Sequence, residues 1–223
     1  MKFLSFFSSS SPSKLALVFA ILFIVIFRMT NVSDKETSWD VLGYYLPLPA
    51  TFIYEDPLME NRGWIEEINK EKDLTGTLYQ ISSNDEGEPI YFFLLGMAIL
   101  YLPFFLIGHG GAYLFDYPPD GFSLPYQYAM VLGAIFYTII GLVYLRKILL
   151  RFIPDKVSAI VIILIVFATN YACAFGYFDG NDTPWLFLLL LAILLPHYYQ
   201  LLKHKSTHNI TSIFNWLLPL SVI

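Results

Sequence analysis

The chain has 223 residues, of which 57% are hydrophobic, 18% aromatic and only 14% charged. A typical soluble domain carries about 25% charged residues, so the composition excludes an ordinary soluble protein and predicts an all-α polytopic membrane protein, a bundle of transmembrane helices. The net charge of −5 gives no indication of nucleic-acid binding, and a single cysteine excludes a disulfide framework and a cysteine-based metal site.

Several apolar segments approach the roughly 20 residues that a helix needs to cross a membrane. The first follows Lys2 and Lys14, and because no small-residue cleavage site comes after it, we expect a retained anchor rather than a signal peptide. The chain stops inside the last apolar segment, so we also expect it to be the N-terminal part of a longer protein. The predicted spans are about 15–30, 124–146, 157–178 and 184–202, with the start of another at 210–223.

Charge is distributed unevenly along the chain. The stretch 29–125 holds 15 of the 18 acidic residues and only four basic ones, a net charge of −11. Cytoplasmic loops of membrane proteins are enriched in Lys and Arg. We therefore expect residues 31–123 to form the first extracytoplasmic loop and the N-terminus to be cytoplasmic.

A further apolar segment, 91–113, lies inside this loop and decides the topology. If it crossed the membrane, the basic loops at 146–156 and 203–205 would fall outside, against the positive-inside rule. Pro103 and the glycines at 108, 110 and 111 interrupt it, and broken backbone at membrane depth needs protein cover. We therefore expect an interfacial or re-entrant segment that does not cross.

The stretch "SWDVLGYYL" near the start of the loop predicts a short amphipathic helix. Trp39, Leu42 and Tyr45 have helical spacing, and Pro47 is expected to end the helix. Because Trp and Tyr rings favour the headgroup region, we expect this helix to lie on the membrane surface.

Asp40 is the candidate catalytic residue of this helix. It shares a face with Tyr44, four positions on. A carboxylate partly surrounded by aromatic rings is desolvated on one side, which increases its basicity and suits a general base for a hydroxyl or amine acceptor. Alternatively, Asp40 faces water at the start of the helix, where the helix dipole favours acids.

Two further acids, Asp179 and Asp182, lie in the short loop "FDGNDTP". The same topology places them on the Asp40 side, so three acids from separate loops could line one cavity. They could hold a divalent cation through oxygen ligands or orient an acceptor without metal; the alternative is an ordinary solvated loop. Glu55 and Asp56 are a weaker pair, more typical of a solvated turn.

Four other side chains are candidates for binding substrate. Tyr44 and Tyr45 flank the predicted site. His109, in "GHGG", either contacts a phosphate or sugar or packs at the interface. Arg28 either binds a phosphate or extends its charged end to the membrane surface as an anchor.

The layout as a whole resembles a known family. A first span, an Asp a dozen residues on in "SWDVLGYYLPLPA", a long loop closing with "GMAILYLPFFLIGH", and then "DGFSLPYQYAMVLGAIFYTIIGLVYLRKIL" resemble the GT-C superfamily of polytopic glycosyltransferases. The branch that it resembles contains protein O-mannosyltransferases and the lipid A aminoarabinose transferase. The motifs that carry the resemblance are a positioned Asp and a hydropathy rhythm.

The resemblance implies a specific reaction and location. Such enzymes move a sugar from a polyprenyl-phosphate donor to a lipid, glycan or protein acceptor, usually with inversion, on the extracytoplasmic side. Asp40 occupies the position of the catalytic acid of the first loop, and the assisting acid of the second loop maps onto Asp179 or Asp182. The expected location is the bacterial inner (plasma) membrane, in contact with its lipids. The resemblance implies no obligatory cofactor, and participation of a divalent cation is left as an alternative.

The competing class is a non-catalytic membrane protein, such as part of a transporter, an assembly partner or a pseudoenzyme. Transporters place ionisable residues near the centre of their spans, whereas the predicted spans from 124 onwards have no charged residue near theirs. No phosphate-binding glycine loop, serine-hydrolase elbow or H-E-x-x-H sequence occurs either. These absences favour chemistry at the membrane surface on a lipid-linked substrate.

Overall fold

The computed structural model describes residues 11–84, 89–91, 93 and 95–168. This part is mostly helical, as the composition predicts. The predicted spans at 184–202 and 210–223, the end of the one at 157–178, and both Asp179 and Asp182 lie outside the described residues. In chain order the elements are α1 (Pro12–Thr30), α2 (Trp39–Tyr45), α3 (Pro47–Phe52), α4 (Gly63–Lys72), β1 (Ile81–Ser83), β2 (Pro89–Tyr91), α5 (Leu95–Leu114), α6 (Leu124–Phe152) and α7 (Asp155–Ala168).

Within the described residues, three helices are long and apolar enough to cross a membrane: α1, α5 and α6. Two of them match predicted spans, with α1 beginning three residues earlier than expected and α6 continuing six residues further. The number of actual crossings stays a prediction. The described chain forms two compact units, one of residues 11–31 and 134–168 and one of 32–133 with its gaps, and α6 contributes to both.

In the first unit, α1 and α7 pack side by side and run parallel. Their N-terminal ends meet at Ser13 and Asp155, and further along Phe167 of α7 contacts Phe23 of α1, with ring centroids 4.7 Å apart. The contact face of α7 consists of Ser158, Ile162 and Val166, which recur every four residues as a single helix face requires.

A polar cluster closes the end of this unit where α1 and α7 begin. Ser13 is fully buried; its hydroxyl donates to Asp155 and accepts from Nε of Arg146 at 2.8 Å. Arg146, near the end of α6, also donates to the Ser11 hydroxyl at 3.1 Å. The hydrogen bond from the Ser13 hydroxyl is the main cause that holds the pKa of Asp155 below its ordinary value. The cluster therefore joins three helices at one end.

In the second unit, α2 and α3 follow each other with a bend at Leu46. The expectation that Pro47 ends the helix is half right, because α2 stops at Tyr45 but Pro47 then begins α3. Proline is tolerated in the first turn of a helix, where the missing N–H would have no acceptor.

The apolar segment expected to be broken is a continuous 20-residue helix, α5, with Pro103 inside it. The predicted breaks at Pro103 and at the glycines are therefore wrong. The glycines instead allow close packing: a Cβ at Gly108 would lie 2.9 Å from Cα of Tyr126 in α6. On the same buried face, α5 packs against α2 and α3 through Phe105, which contacts Tyr45 at 5.9 Å.

A turn at residues 118–123 leads into α6 and is held by interactions of Asp120, Lys72 and Tyr54. The Asp120 carboxylate accepts the backbone N–H groups of Phe122 and Ser123, both at 2.7 Å, and pairs with Lys72 of α4 at 3.3 Å. The hydroxyl of Tyr54 donates to the Asp120 carbonyl at 3.0 Å. This turn is the point where the loop's short helices are attached to the start of α6.

Between α4 and α5 lies an antiparallel hairpin in which Ser82 pairs with Ile90. Of the residues that connect its two strands, 85–88 lie outside the described part. The hairpin is relevant to the candidate functional site, because the segment just before β1 supplies side chains that contact that site.

Candidate functional site around Asp40

Asp40 lies in the first turn of α2 with its side chain exposed. Its Oδ1 accepts a hydrogen bond of 2.5 Å from the hydroxyl of Tyr79, which lies just before β1. The second carboxylate oxygen points to no donor among the contacts that the structure describes. One oxygen is thus held by a neighbour while the group as a whole stays accessible to a substrate.

The backbone beside Asp40 is strained. Trp39 has φ +51°, in the left-handed region, which costs a bulky L-residue roughly 1 to 2 kcal/mol. Two contacts hold it there: its N–H donates to the Leu74 carbonyl at 3.1 Å, and its carbonyl accepts from Nε2 of Gln80 at 2.8 Å. The segment 74–80 therefore fixes the backbone from which the Asp40 side chain projects.

Gln80 is fully buried beneath this backbone. Its Oε1 has no hydrogen-bond partner within the described residues, and the same is true there of the Tyr91 hydroxyl. An unsatisfied buried acceptor costs about 1 to 3 kcal/mol. Together with the strain at Trp39, this concentrates unfavourable local energy around one exposed carboxylate, a pattern typical of functional sites.

Tyr79 remains a hydrogen-bond donor at any ordinary pH. Partial burial, and after it the hydrogen bond to the Asp40 carboxylate, raises the pKa of Tyr79 to about 12. Both causes act in the same direction, since burial and a neighbouring negative charge each disfavour the phenolate. The phenol is therefore protonated whenever the carboxylate is ionised at neutral pH.

The two tyrosines expected beside Asp40 have different positions. Tyr44 is half-buried and packs edge-on against Phe93 at 4.9 Å. Tyr45 is fully buried, its hydroxyl donates to the Gly121 carbonyl, and burial raises its pKa well above the ordinary value. The hydroxyl of Tyr45 is thus inside the unit and already paired, and the expectation that Tyr45 binds substrate stays a prediction.

His109 and Arg28 are both placed by helices. His109 lies within α5 rather than at the end of a folded-back segment; its Nδ1 is 2.5 Å from the Tyr126 hydroxyl and its ring stacks on Phe105. Arg28 lies in the last turn of α1 and is buried. The positions of His109 and Arg28 do not show whether either side chain contacts a phosphate or sugar, so both contacts stay predictions.

Of the weaker pair, Glu55 and Asp56, the side chain of Asp56 holds a turn together. Its carboxylate accepts from the backbone N–H of Glu60 at 2.8 Å and from the Trp64 indole at 3.1 Å. Trp64 in turn stacks on Tyr54 with centroids 4.1 Å apart. The solvated-turn interpretation of Asp56 fits these contacts, whereas Glu55 is simply exposed.

Within the residues that the structure describes, no group of three or more His, Cys, Asp or Glu side chains could hold a metal ion. Because Asp179 and Asp182 lie outside them, the expected convergence with Asp40 and the divalent cation both stay predictions. Tyr79 and Gln80 were missed by sequence reasoning, since no local pattern links positions 79 and 80 to position 40.

No family model, curated protein or solved structure matches the chain. The resemblance to the GT-C superfamily therefore depends only on the residues quoted for it.

Proposed function

We propose that this protein is a membrane glycosyltransferase that moves a sugar from a polyprenyl-phosphate donor to an extracytoplasmic acceptor, with Asp40 as the catalytic acid/base. The observation that carries the proposal is the Asp40 carboxylate itself: exposed, hydrogen-bonded on one oxygen by Tyr79, and set on a strained backbone within the acid-rich segment between α1 and α6. A lipid-linked donor presents its sugar at the membrane surface, and a carboxylate in a segment between apolar helices could reach it there.

The chemistry needs a base close to the acceptor. In the proposed reaction, the acceptor oxygen attacks the anomeric carbon while its proton passes to the Asp40 oxygen not bound by Tyr79. The bond between the anomeric carbon and the phosphate oxygen breaks, and polyprenyl phosphate leaves with the electron pair, giving inversion. Tyr79 keeps the carboxylate in one rotamer, and such positioned proton transfer contributes typically 10²- to 10⁴-fold in rate.

Charge on the departing phosphate requires positive or hydrogen-bonding partners. Arg28 is a candidate from this chain, and Asp179 and Asp182 are the candidates for holding a divalent cation that would supply such charge, if one takes part. Tyr44 and His109 are proposed to contact the sugar or phosphate. The proposed location is a bacterial inner membrane with the site on the extracytoplasmic side.

A second candidate function has one observation in its favour. The Tyr79–Asp40 hydrogen bond joins segments 39 positions apart, as a structural latch would. In a non-catalytic membrane protein, such as an assembly partner or part of a transporter, this latch would hold the loop on α2 without any reaction.

The discriminating experiment is transfer in proteoliposomes containing the full chain and a panel of radiolabelled polyprenyl-phosphate sugars, beginning with mannose and aminoarabinose. Asp40→Asn is expected to reduce transfer by roughly 100-fold or more, while Asp34→Asn, at an exposed acid of the same loop, leaves it unchanged. Undiminished transfer by Asp40→Asn would refute the catalytic role. A stability loss in Asp40→Asn with no transfer by any form of the chain would favour the latch.

A further inference from the structure

Trp39 combines backbone strain with an exposed aromatic ring. Its φ is +51°, and its side chain is 44% exposed. A bulky residue in the left-handed region costs free energy, and the exposed part of the ring gains none of the burial that would offset this cost. Backbone strain of this kind is typical of positions where a side chain serves a ligand.

The Trp39 ring and the Asp40 carboxylate both contact the segment 74–80. The end of the ring, at Cη2, is 3.9 Å from the point where a Cβ at Gly76 would lie. Three residues further on, the hydroxyl of Tyr79 donates to Oδ1 of Asp40 at 2.5 Å. Because three residues of chain span at most about 11 Å, the ring and the carboxylate belong to the same region of the surface.

Tyr79 adds a second aromatic ring to this region. Its side chain is 42% exposed, and its hydroxyl is already bound to Asp40, so its ring is the part that a ligand can contact. The intervening Gly76 and Thr77 are exposed as well. Trp39, Asp40, Gly76, Thr77 and Tyr79 are called the aromatic patch below.

Two rings beside a carboxylate form a surface suited to a cation. The face of an aromatic ring is the negative side of its quadrupole. An ammonium group within about 6 Å of the ring centroid is attracted to that face, most strongly when the ring is tryptophan. Asp40 adds a full negative charge, and Tyr79 engages only one of its two oxygens. Recognition of quaternary ammonium groups by aromatic side chains uses the same attraction.

The charge around the aromatic patch acts in the same direction. The stretch 29–125 has a net charge of −11, and most of the acidic side chains that the structure describes there are exposed. Two basic side chains of this stretch are paired with acids: Lys35 with Asp73 at 3.0 Å and Lys72 with Asp120 at 3.3 Å. The surface therefore attracts cations and repels anions.

We infer that the aromatic patch binds an alkylammonium group, which lies over the Trp39 indole and faces the Asp40 carboxylate. Trp39 is then a specificity residue, because it favours acceptors that carry an ammonium group close to the atom that receives the sugar. Anionic acceptors are disfavoured at the same place. The selection of acceptors rests on the proposed function, whereas the binding itself requires no transfer.

Choline and its neutral isostere 3,3-dimethylbutan-1-ol test the inference, since the isostere replaces the charged nitrogen by carbon and keeps the shape. Binding of radiolabelled choline to the full chain is measured by equilibrium dialysis in an uncharged maltoside detergent, with each unlabelled compound as competitor. We expect choline to compete and the isostere to compete several-fold more weakly. No choline binding by the parent chain, or equal competition by the two compounds, overturns the inference.

Trp39→Gly is the main variant, because it removes the ring and glycine adopts a positive φ without strain. We expect choline affinity to fall by roughly 2- to 30-fold, the range of a cation–π contact, and Asp40→Asn to reduce it as well. Trp64→Phe, at a ring that stacks on Tyr54, is the matched control and should leave the affinity unchanged. Undiminished choline binding by Trp39→Gly overturns the inference; should thermal unfolding show that this variant does not fold, Trp39→Leu decides in the same way.

A lipid headgroup and a soluble amine share this chemistry, and nanodiscs distinguish the two sources. The part of choline binding that Trp39→Gly removes should be smaller in phosphatidylcholine than in phosphatidylglycerol nanodiscs if a bilayer headgroup fills the aromatic patch. It should be equal in both if the ligand comes from solution. The proposed function fails separately: undiminished transfer by Asp40→Asn refutes the catalytic role, while Trp39-dependent choline binding upholds the inference.

Discussion

The Tyr79 hydroxyl lies 2.5 Å from Oδ1 of Asp40, across 39 positions of sequence. This bond connects the residue that the sequence singles out with one that it does not. Because Tyr79 belongs to the same segment that holds the strained Trp39 through Leu74 and Gln80, the position of the carboxylate and the strain of its backbone have a common origin.

Removing this hydrogen bond should affect the site more than the fold. Tyr79→Phe deletes a donor to a partly exposed carboxylate, so we expect a loss of about 1 kcal/mol in the free energy of unfolding and a roughly tenfold loss of sugar transfer through the wrong Asp40 rotamer. Thermal unfolding in detergent and transfer in proteoliposomes measure the two quantities.

Tyr117→Phe is the matched control, because Tyr79 and Tyr117 are each 42% exposed. It should change neither quantity. Equal losses in the two variants would mean that the Tyr79 hydroxyl has no specific effect on Asp40.

Tyr54 and Tyr79 of the second unit should titrate late. Burial is the main cause that raises the pKa values of Tyr54 and Tyr79 to about 12. A pKa raised on folding stabilises the folded state fully below the unfolded value of about 10, and this contribution is lost as the pH rises towards 12. We therefore expect alkaline unfolding of this unit within that range.

Ultraviolet titration of the phenolate band checks this prediction. Tyr54→Phe and Tyr79→Phe should each remove one tyrosine from the late-titrating group. If neither substitution reduces the phenolate signal that appears near pH 12, the burial and the contacts described for Tyr54 and Tyr79 are incorrect.

The helices of this fold were predictable where they depend on local composition. α1, α5 and α6 each follow from a long apolar run, and such runs are readable without knowing any partner. The effect of proline was misjudged because it depends on context. Pro47 falls in a first turn, where its missing N–H costs little, and Pro103 lies inside α5, one face of which packs against α2, α3 and the start of α6.

The site was predictable only in part for a related reason. Asp40 stands out by its charge beside an apolar segment, but Tyr79 and Gln80 reach it through tertiary contacts that no local spacing encodes. The burial of Tyr45 was not predicted, because α2 has aromatic residues on both sides, and periodicity alone cannot tell which side faces the core.

Gly121 should be irreplaceable in the turn that leads into α6. Its φ is +84°, and a Cβ there would lie 2.8 Å from Cβ of Pro49. Backbone strain and overpacking together predict that Gly121→Ala lowers the free energy of unfolding by roughly 2 to 4 kcal/mol.

Gly110 provides the control for this substitution. It lies inside α5, and a Cβ there would meet nothing within 4 Å. Gly110→Ala should raise the free energy of unfolding by about 0.5 to 1 kcal/mol through helix propensity. Denaturant unfolding of both variants in detergent decides the matter: similar effects of the same sign would contradict the described turn.

The polar cluster of the first unit should determine whether α1 stays packed on α7. Ser13→Ala removes a buried hydroxyl that both donates to Asp155 and accepts from Arg146. Since each charged partner then loses a hydrogen bond in a partly buried place, we expect a loss of about 1 to 3 kcal/mol. Thr30→Ala, at the exposed opposite end of α1, should cost less than 0.5 kcal/mol.

Cross-linking of cysteines at positions 23 and 167, in the Cys173→Ala background, reports the packing of α1 on α7 itself. The cross-link should form in the parent chain and weaken in Ser13→Ala but not in Thr30→Ala. Its absence from the parent would refute the parallel arrangement of α1 and α7.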